Sequence, residues 1–112
     1  MPLDLQTLQD GLNASIQTLL NAYDQCADSE ASAQLIDQVN QLTSQMKQVE
    51  TNLFHQQTVE ATDVLNSAFA SAQGYTAKLN DLGKKLGQVA AIVSTAGKLI
   101  SVVAQIVAAL PL

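Results

Sequence analysis

Ten apolar residues in the last third of the chain set the terms for any fold. Leu79, Leu82, Leu86, Val89, Val93, Ala96, Ile100, Val103, Val107 and Leu110 follow one another at alternating steps of three and four. That is the spacing of one face of an α-helix. Polar groups on this stretch are few, among them Lys84, Lys85, Gln88, Ser94, Thr95, Lys98, Ser101 and Gln105. A helix apolar over most of its circumference is buried by other helices or lies in lipid. Fully burying a Val, Leu or Ile side chain gains about 1.5–3 kcal/mol, so a stretch this apolar needs cover.

Breakers are confined to the ends and to the C-terminal half. Proline occurs only at positions 2 and 111, and neither proline nor glycine lies between Gly11 and Gly74. No period-two run and no Asn-Gly or Asp-Gly turn marks a strand or a hairpin. The expected fold is all-α: a single domain over residues 1–112, an elongated helical hairpin or bundle with coiled-coil-like seams.

A first helix is predicted over about 3–27. Leu5, Leu8, Leu12, Leu19, Ala22 and Cys26 form its stripe, and Pro2 or Asp4 suits its start. Asp28-Ser29-Glu30 is the best turn candidate, because Asp28 or Ser29 can cap a second helix and Glu30 suits its positive first turn. In that second helix Leu35, Val39, Leu42, Met46, Val49 and Leu53 keep the alternating step. At Leu53-Phe54 the repeat slips by one residue, and Phe54, Thr58, Ala61, Leu65, Ala68, Ala72, Tyr75 and Leu79 carry it on. A one-residue skip in a continuous helix produces this pattern, and so does a turn between His55 and Thr58. With no glycine or proline there, the continuous helix is favoured. Gly83 followed by Lys84 reads as a helix stop. The expected architecture is three helices, at about 3–27, 29–82 and 84–110, with a break near 55–58 giving four as the alternative.

On the third helix, Leu86, Val93, Ile100 and Val107 are assigned to one core row of a heptad and Val89, Ala96, Val103 and Leu110 to the other. Ile92, Leu99 and Ile106 form a bulky flank, Ala90, Gly97 and Ala104 a small one. The candidate interaction or insertion face is Leu86, Val89, Ile92, Val93, Leu99, Ile100, Val103, Ile106, Val107 and Leu110.

Charge and composition narrow the function. Charged residues make up only 13% of the chain, there is no Arg, and the net charge is −5. Such a chain is a poor ligand for nucleic acid, which requires phosphate-neutralising cations. The charge is also divided. Nine carboxylates and Lys47 in residues 1–63 sum to −8, and four lysines with Asp81 in residues 64–112 sum to +3, which together recover −5. One reading gives each segment its own solvated face; the other docks the acidic half on the basic half, within the chain or on a neighbour.

Catalytic and ligand signatures are lacking. His55 is the only histidine and Cys26 the only cysteine, so neither a zinc set nor an internal disulfide is expected. No phosphate loop or nucleophile motif occurs, and Asn13-Ala14-Ser15 falls in the middle of the first predicted helix. No enzymatic activity, cofactor, metal or small-molecule substrate is expected. The expected role is a structural or interaction protein that self-associates, or binds helical partners, through its apolar C-terminal helix. The alternative is a membrane-active protein. Residues 86–110 are long enough to span a bilayer core of about 30 Å, but Lys98 at mid-helix would cost about 2.5–3.5 kcal/mol there. No basic segment followed by an apolar run opens the chain, so a cleaved signal is not expected. That leaves cytoplasmic, signal-less export and membrane-associated locations open.

Overall fold

Four helices, not three, account for 87% of the described residues. The computed structural model describes residues 3–56, 58–60, 62–85 and 88–110. A two-residue strand β1 (Leu3–Asp4) precedes α1 (Leu5–Gln25), which is followed by α2 (Ser29–His55). A second short strand β2 (Thr58–Val59) leads to α3 (Asp63–Gly83) and then α4 (Val89–Ala109).

Short polar side chains start three of the helices. Asp4 Oδ1 accepts from the Gln6 N–H at 3.0 Å. Asp28 Oδ2 accepts from Ala31 N–H at 3.4 Å, with Glu30 in the first turn of α2. Thr62 Oγ1 accepts from Leu65 N–H at 3.1 Å. Each pairs a backbone donor that the first turn leaves free. Cys26, in the turn before Asp28, is half-buried and carries a free thiol.

The break at the end of α2 corrects the expected helix over 29–82. Gln56 is extended, with φ −159° and ψ 137°. The next described residues pair across the molecule instead of continuing the helix. Leu3 pairs with Val59 and Asp4 with Thr58 in antiparallel register. This small bridge ties the start of α1 to the segment that starts α3. The slip at Leu53-Phe54 is therefore the trace of a chain reversal. Phe54 does not join the seam; it stands 89% exposed.

Two αα-hairpins result, packed side by side. α1 packs on α2 and α3, and α4 packs on α3 and α2, while α1 and α4 sit on the diagonal. Gly11 of α1 lies against Thr76 of α3, and Thr18 of α1 against Gly83 of α3. Both pairs are separated by 65 residues, so α1 and α3 run in the same direction. Gln38 bonds the carbonyl of Val93, and Gln45 that of Ile100, both separated by 55. So α2 and α4 also run in the same direction. The molecule measures 43 × 21 × 17 Å, little longer than its longest helix, the 27-residue α2 at about 40 Å.

The buried side chains form one connected core. Each helix supplies three residues seven apart: Leu5, Leu12 and Leu19; Leu35, Leu42 and Val49; Leu65, Ala72 and Leu79; Ile92, Leu99 and Ile106. The heptad spacing keeps each row on one side of its helix, which is how bundle helices interlock.

Candidate interaction surface

On α4 the core row is one residue away from the expected one. Ile92, Leu99 and Ile106 are buried together with Ala96, Val103 and Leu110. Val93, Ile100 and Val107, the expected core row, are only half-buried along α2, as is Val89. Leu86 lies outside the described residues. Of the candidate face, then, five residues are spent on the protein's own core, and four form a half-open row beside α2. Thr95, expected on the wet stripe, is buried; Lys98 and Gln105 are exposed.

Glutamine chemistry explains the shift. Gln38 and Gln45 lie in the seam between α2 and α4. Gln38 Nε2 donates to the Val93 carbonyl at 2.9 Å, and Gln45 Nε2 to the Ile100 carbonyl at 3.0 Å. The two amides thus bond the α4 backbone at Val93 and Ile100, the residues that the expected core row would have buried. Asn52 continues the row seven residues on, but its shorter side chain donates within its own helix, to the Gln48 carbonyl at 3.1 Å. The oxygens of all three amides, Gln38 Oε1, Gln45 Oε1 and Asn52 Oδ1, are buried without a protein partner. An orphaned acceptor costs about 1–3 kcal/mol, so this seam is held less tightly than a fully apolar one would be.

The outward side of α4 is small and nearly uncharged. Ala90, Ser94, Gly97, Ser101, Ala104 and Ala108 are exposed at steps of four and three, and Lys98 is the one charged residue in the helix. Beside it, α4 and α3 border an open groove of about 410 Å³. Val64 of α3, 66% exposed, and half-buried Val102 of α4 line it together with Ser67, Ala68 and Ser71.

The opposite side of the molecule has its own groove, of about 330 Å³, between α1 and α2. Gln6, Gln9, Glu50 and Leu53 line it with Phe54, and Gln9 Nε2 donates to Glu50 Oε1 at 2.9 Å. Among the described residues the exposed large apolar side chains are Tyr23, Ile36, Phe54 and Val64. Three belong to the α1–α2 hairpin and one to the α3–α4 hairpin. Sequence reasoning placed Phe54 inside a helical repeat and did not single out Val64. The signal for Phe54 was the slip itself, an aromatic residue at the point where the repeat fails.

Charge follows the hairpins. Residues 3–55 hold seven carboxylates and Lys47, for a formal −6; residues 63–109 hold Asp63, Asp81 and four lysines, for +2. Glu60 between them completes the net −5. Among the described residues the one ion pair is Lys85 with Asp81 at 3.4 Å, a surface pair one turn apart on the chain that adds little stability. No group of three His, Cys, Asp or Glu residues is placed to hold a metal ion among the described residues.

No protein-family model matches this chain, and no significant match was found among the curated proteins or the solved structures.

Proposed function

We propose that the protein is a non-enzymatic helical interaction module that self-associates, or binds helical partners, through the surface that its apolar C-terminal helix shares with α3. The observation that carries this reading is the groove beside α4, where exposed Val64 and half-buried Val102 stand among small side chains. Four of α4's nine large aliphatic side chains, Ile92, Leu99, Val103 and Ile106, are buried and the other five are half-buried, so the surface left to a partner is narrower than the whole helix. An open groove with two valines between small side chains, and Asp63 and Gln105 among its remaining members, suits an inserted side chain or a closely packed helix. Sedimentation equilibrium checks the reading. The mean mass should climb above the 11.8 kDa of one chain as concentration rises into the hundreds of micromolar. A constant 11.8 kDa, with no helical partner recovered, would sink it.

A second reading rests on a different observation. Val89–Ala109 is 21 residues long and contains an 18-residue window with a mean hydropathy of 1.7, so by length and composition it could cross a membrane. One third of its most apolar window is buried in the folded chain, and membrane entry requires α4 to leave that core. Lys98→Leu separates the two readings. The side chain is exposed in the folded protein, so its replacement should shift the unfolding midpoint little, as for surface changes within about 0.5 kcal/mol. If α4 inserts, removing the mid-helix charge should raise the fraction that floats with anionic liposomes several-fold. Equal absence of flotation for both proteins would remove the membrane reading.

A further inference from the structure

Phe54 and the α3–α4 groove are two halves of one contact. Building on the self-association reading above, we infer that the protein stacks head to tail, the Phe54 ring of one copy seated in the α3–α4 groove of the next.

The exposed ring projects from the last turn of α2 beside the groove between α1 and α2. The receiving groove lies on the other side of the molecule, lined by Val64, Ser67, Ala68, Ser71 and Val102, with Asp63 and Gln105 as its remaining members. Val64 supplies an exposed apolar wall, and the two serines leave room for a ring between α3 and α4. The ring and the groove lie near the same end of the bundle. Phe54 closes α2 where α1 begins, Val64 opens α3, and the pairing of Leu3 with Val59 holds those two starts together.

The directions of the helices make the contact repeatable. Within each chain the α3–α4 hairpin lies on the α1–α2 hairpin with α1 parallel to α3 and α2 parallel to α4. A second copy laid on the outer side of α3–α4 in the same directions presents its α1–α2 hairpin, and Phe54 with it. Stacking of this kind extends helical-repeat proteins, whose end faces stay open unless they are capped.

Net hairpin charge favours this arrangement over two α1–α2 hairpins set back to back, although Glu50 beside the ring and Asp63 in the groove are both carboxylates. Head-to-tail stacking sets the −6 hairpin of one copy on the +2 hairpin of the next. Two α1–α2 hairpins back to back would oppose −6 to −6. Among the described residues the one ion pair joins residues a single turn apart in the α3–α4 hairpin, so there no lysine is already paired with a carboxylate of the other hairpin. A head-to-tail contact leaves a free ring at one end and a free groove at the other, so it adds copies past the dimer, as an open stack when successive copies keep the same directions.

Two single variants and their mixture test the inference. Phe54→Glu removes the ring, and Val64→Glu replaces the groove's exposed apolar wall with a second carboxylate beside Asp63. Both positions are exposed, so thermal unfolding and far-ultraviolet circular dichroism should match the parent. In sedimentation velocity the parent should grow past the dimer with concentration, and growth should weaken at high salt. Each variant alone should stay monomeric, with apparent affinity down at least tenfold. Mixed in equal amounts they should form a one-to-one dimer and nothing larger, because one intact ring meets one intact groove. If the parent associates and Phe54→Glu associates equally well, this contact is overturned while self-association stands. A mixture that stays monomeric, or one that grows past the dimer, also overturns it. A parent that remains monomeric throughout overturns the self-association reading together with this one.

Discussion

Leu99→Asp should abolish cooperative folding, and Ile100→Asp, one residue along the same helix, should leave a folded protein. Leu99 has no exposed surface, and Ile100 is half-buried. At Leu99 the change removes a buried side chain worth about 1.5–3 kcal/mol and puts an unpaired carboxylate in its place, among the apolar side chains of the core. Losses above about 4 kcal/mol come from this kind of substitution, and a small domain holds only about 5–15 kcal/mol in total. At Ile100 the new carboxylate can turn to water at the edge of α2. Its cost should stay near 1–2 kcal/mol, within the usual range for single substitutions. Urea unfolding followed by circular dichroism at 222 nm reads the difference. The expected core row of Val93, Ile100 and Val107 requires the reverse order of severity. A destabilised Ile100→Asp beside a tolerated Leu99→Asp would overturn the packing of α4.

That one-residue difference shows where local pattern stops being informative. On α1 and α2 the apolar stripe is narrow, so Leu5, Leu12, Leu19, Leu35 and Leu42 could be placed in the core from spacing alone, and they are buried. On α4 apolar residues cover most of the circumference. The row Val93, Ile100, Val107 and the row Ile92, Leu99, Ile106 both repeat every seven residues. Spacing cannot choose between them; the glutamines of another helix do, from 55 residues away.

The break after His55 was hidden for a related reason. Neither glycine nor proline marks it, and the residues that hold the new direction, Leu3 and Val59, are 56 positions apart. The slip at Leu53-Phe54 recorded the event without saying whether it was a skip or a turn. Likewise the groove between α3 and α4 is assembled from Val64 and Val102, which nothing in the local sequence joins. What could be read early was the scarcity of charge around α4, and that scarcity supports the surface proposed for partners.

Gly83→Val should destabilise the protein by about 1–3 kcal/mol, the usual cost of overpacking, and Thr18→Ala in the same chain should restore part of the loss. A Cβ placed on Gly83 would stand 2.9 Å from the Thr18 Cγ2, too close for either atom to remain in place. Seven residues earlier on each helix the roles reverse, and a Cβ on Gly11 would stand 3.2 Å from the Thr76 Cγ2. The two threonines also bond back along their own helices, Thr18 Oγ1 to the Ala14 carbonyl at 3.2 Å and Thr76 Oγ1 to the Ala72 carbonyl at 2.9 Å. That bond limits rotation of the Thr18 methyl away from an added side chain. Each glycine therefore admits a threonine from the facing helix, and the pair of pairs sets how closely and in what register α1 lies on α3. Gly74 supplies the internal control. It lies within α3, and a Cβ there meets nothing within 4 Å, so Gly74→Ala should raise stability by about 0.5–1 kcal/mol through helix propensity alone. Thermal and urea unfolding of the three variants read these signs directly. If Gly83→Val were as favourable as Gly74→Ala, or if Thr18→Ala failed to relieve it, the glycine–threonine contact would not be what holds the two hairpins in register.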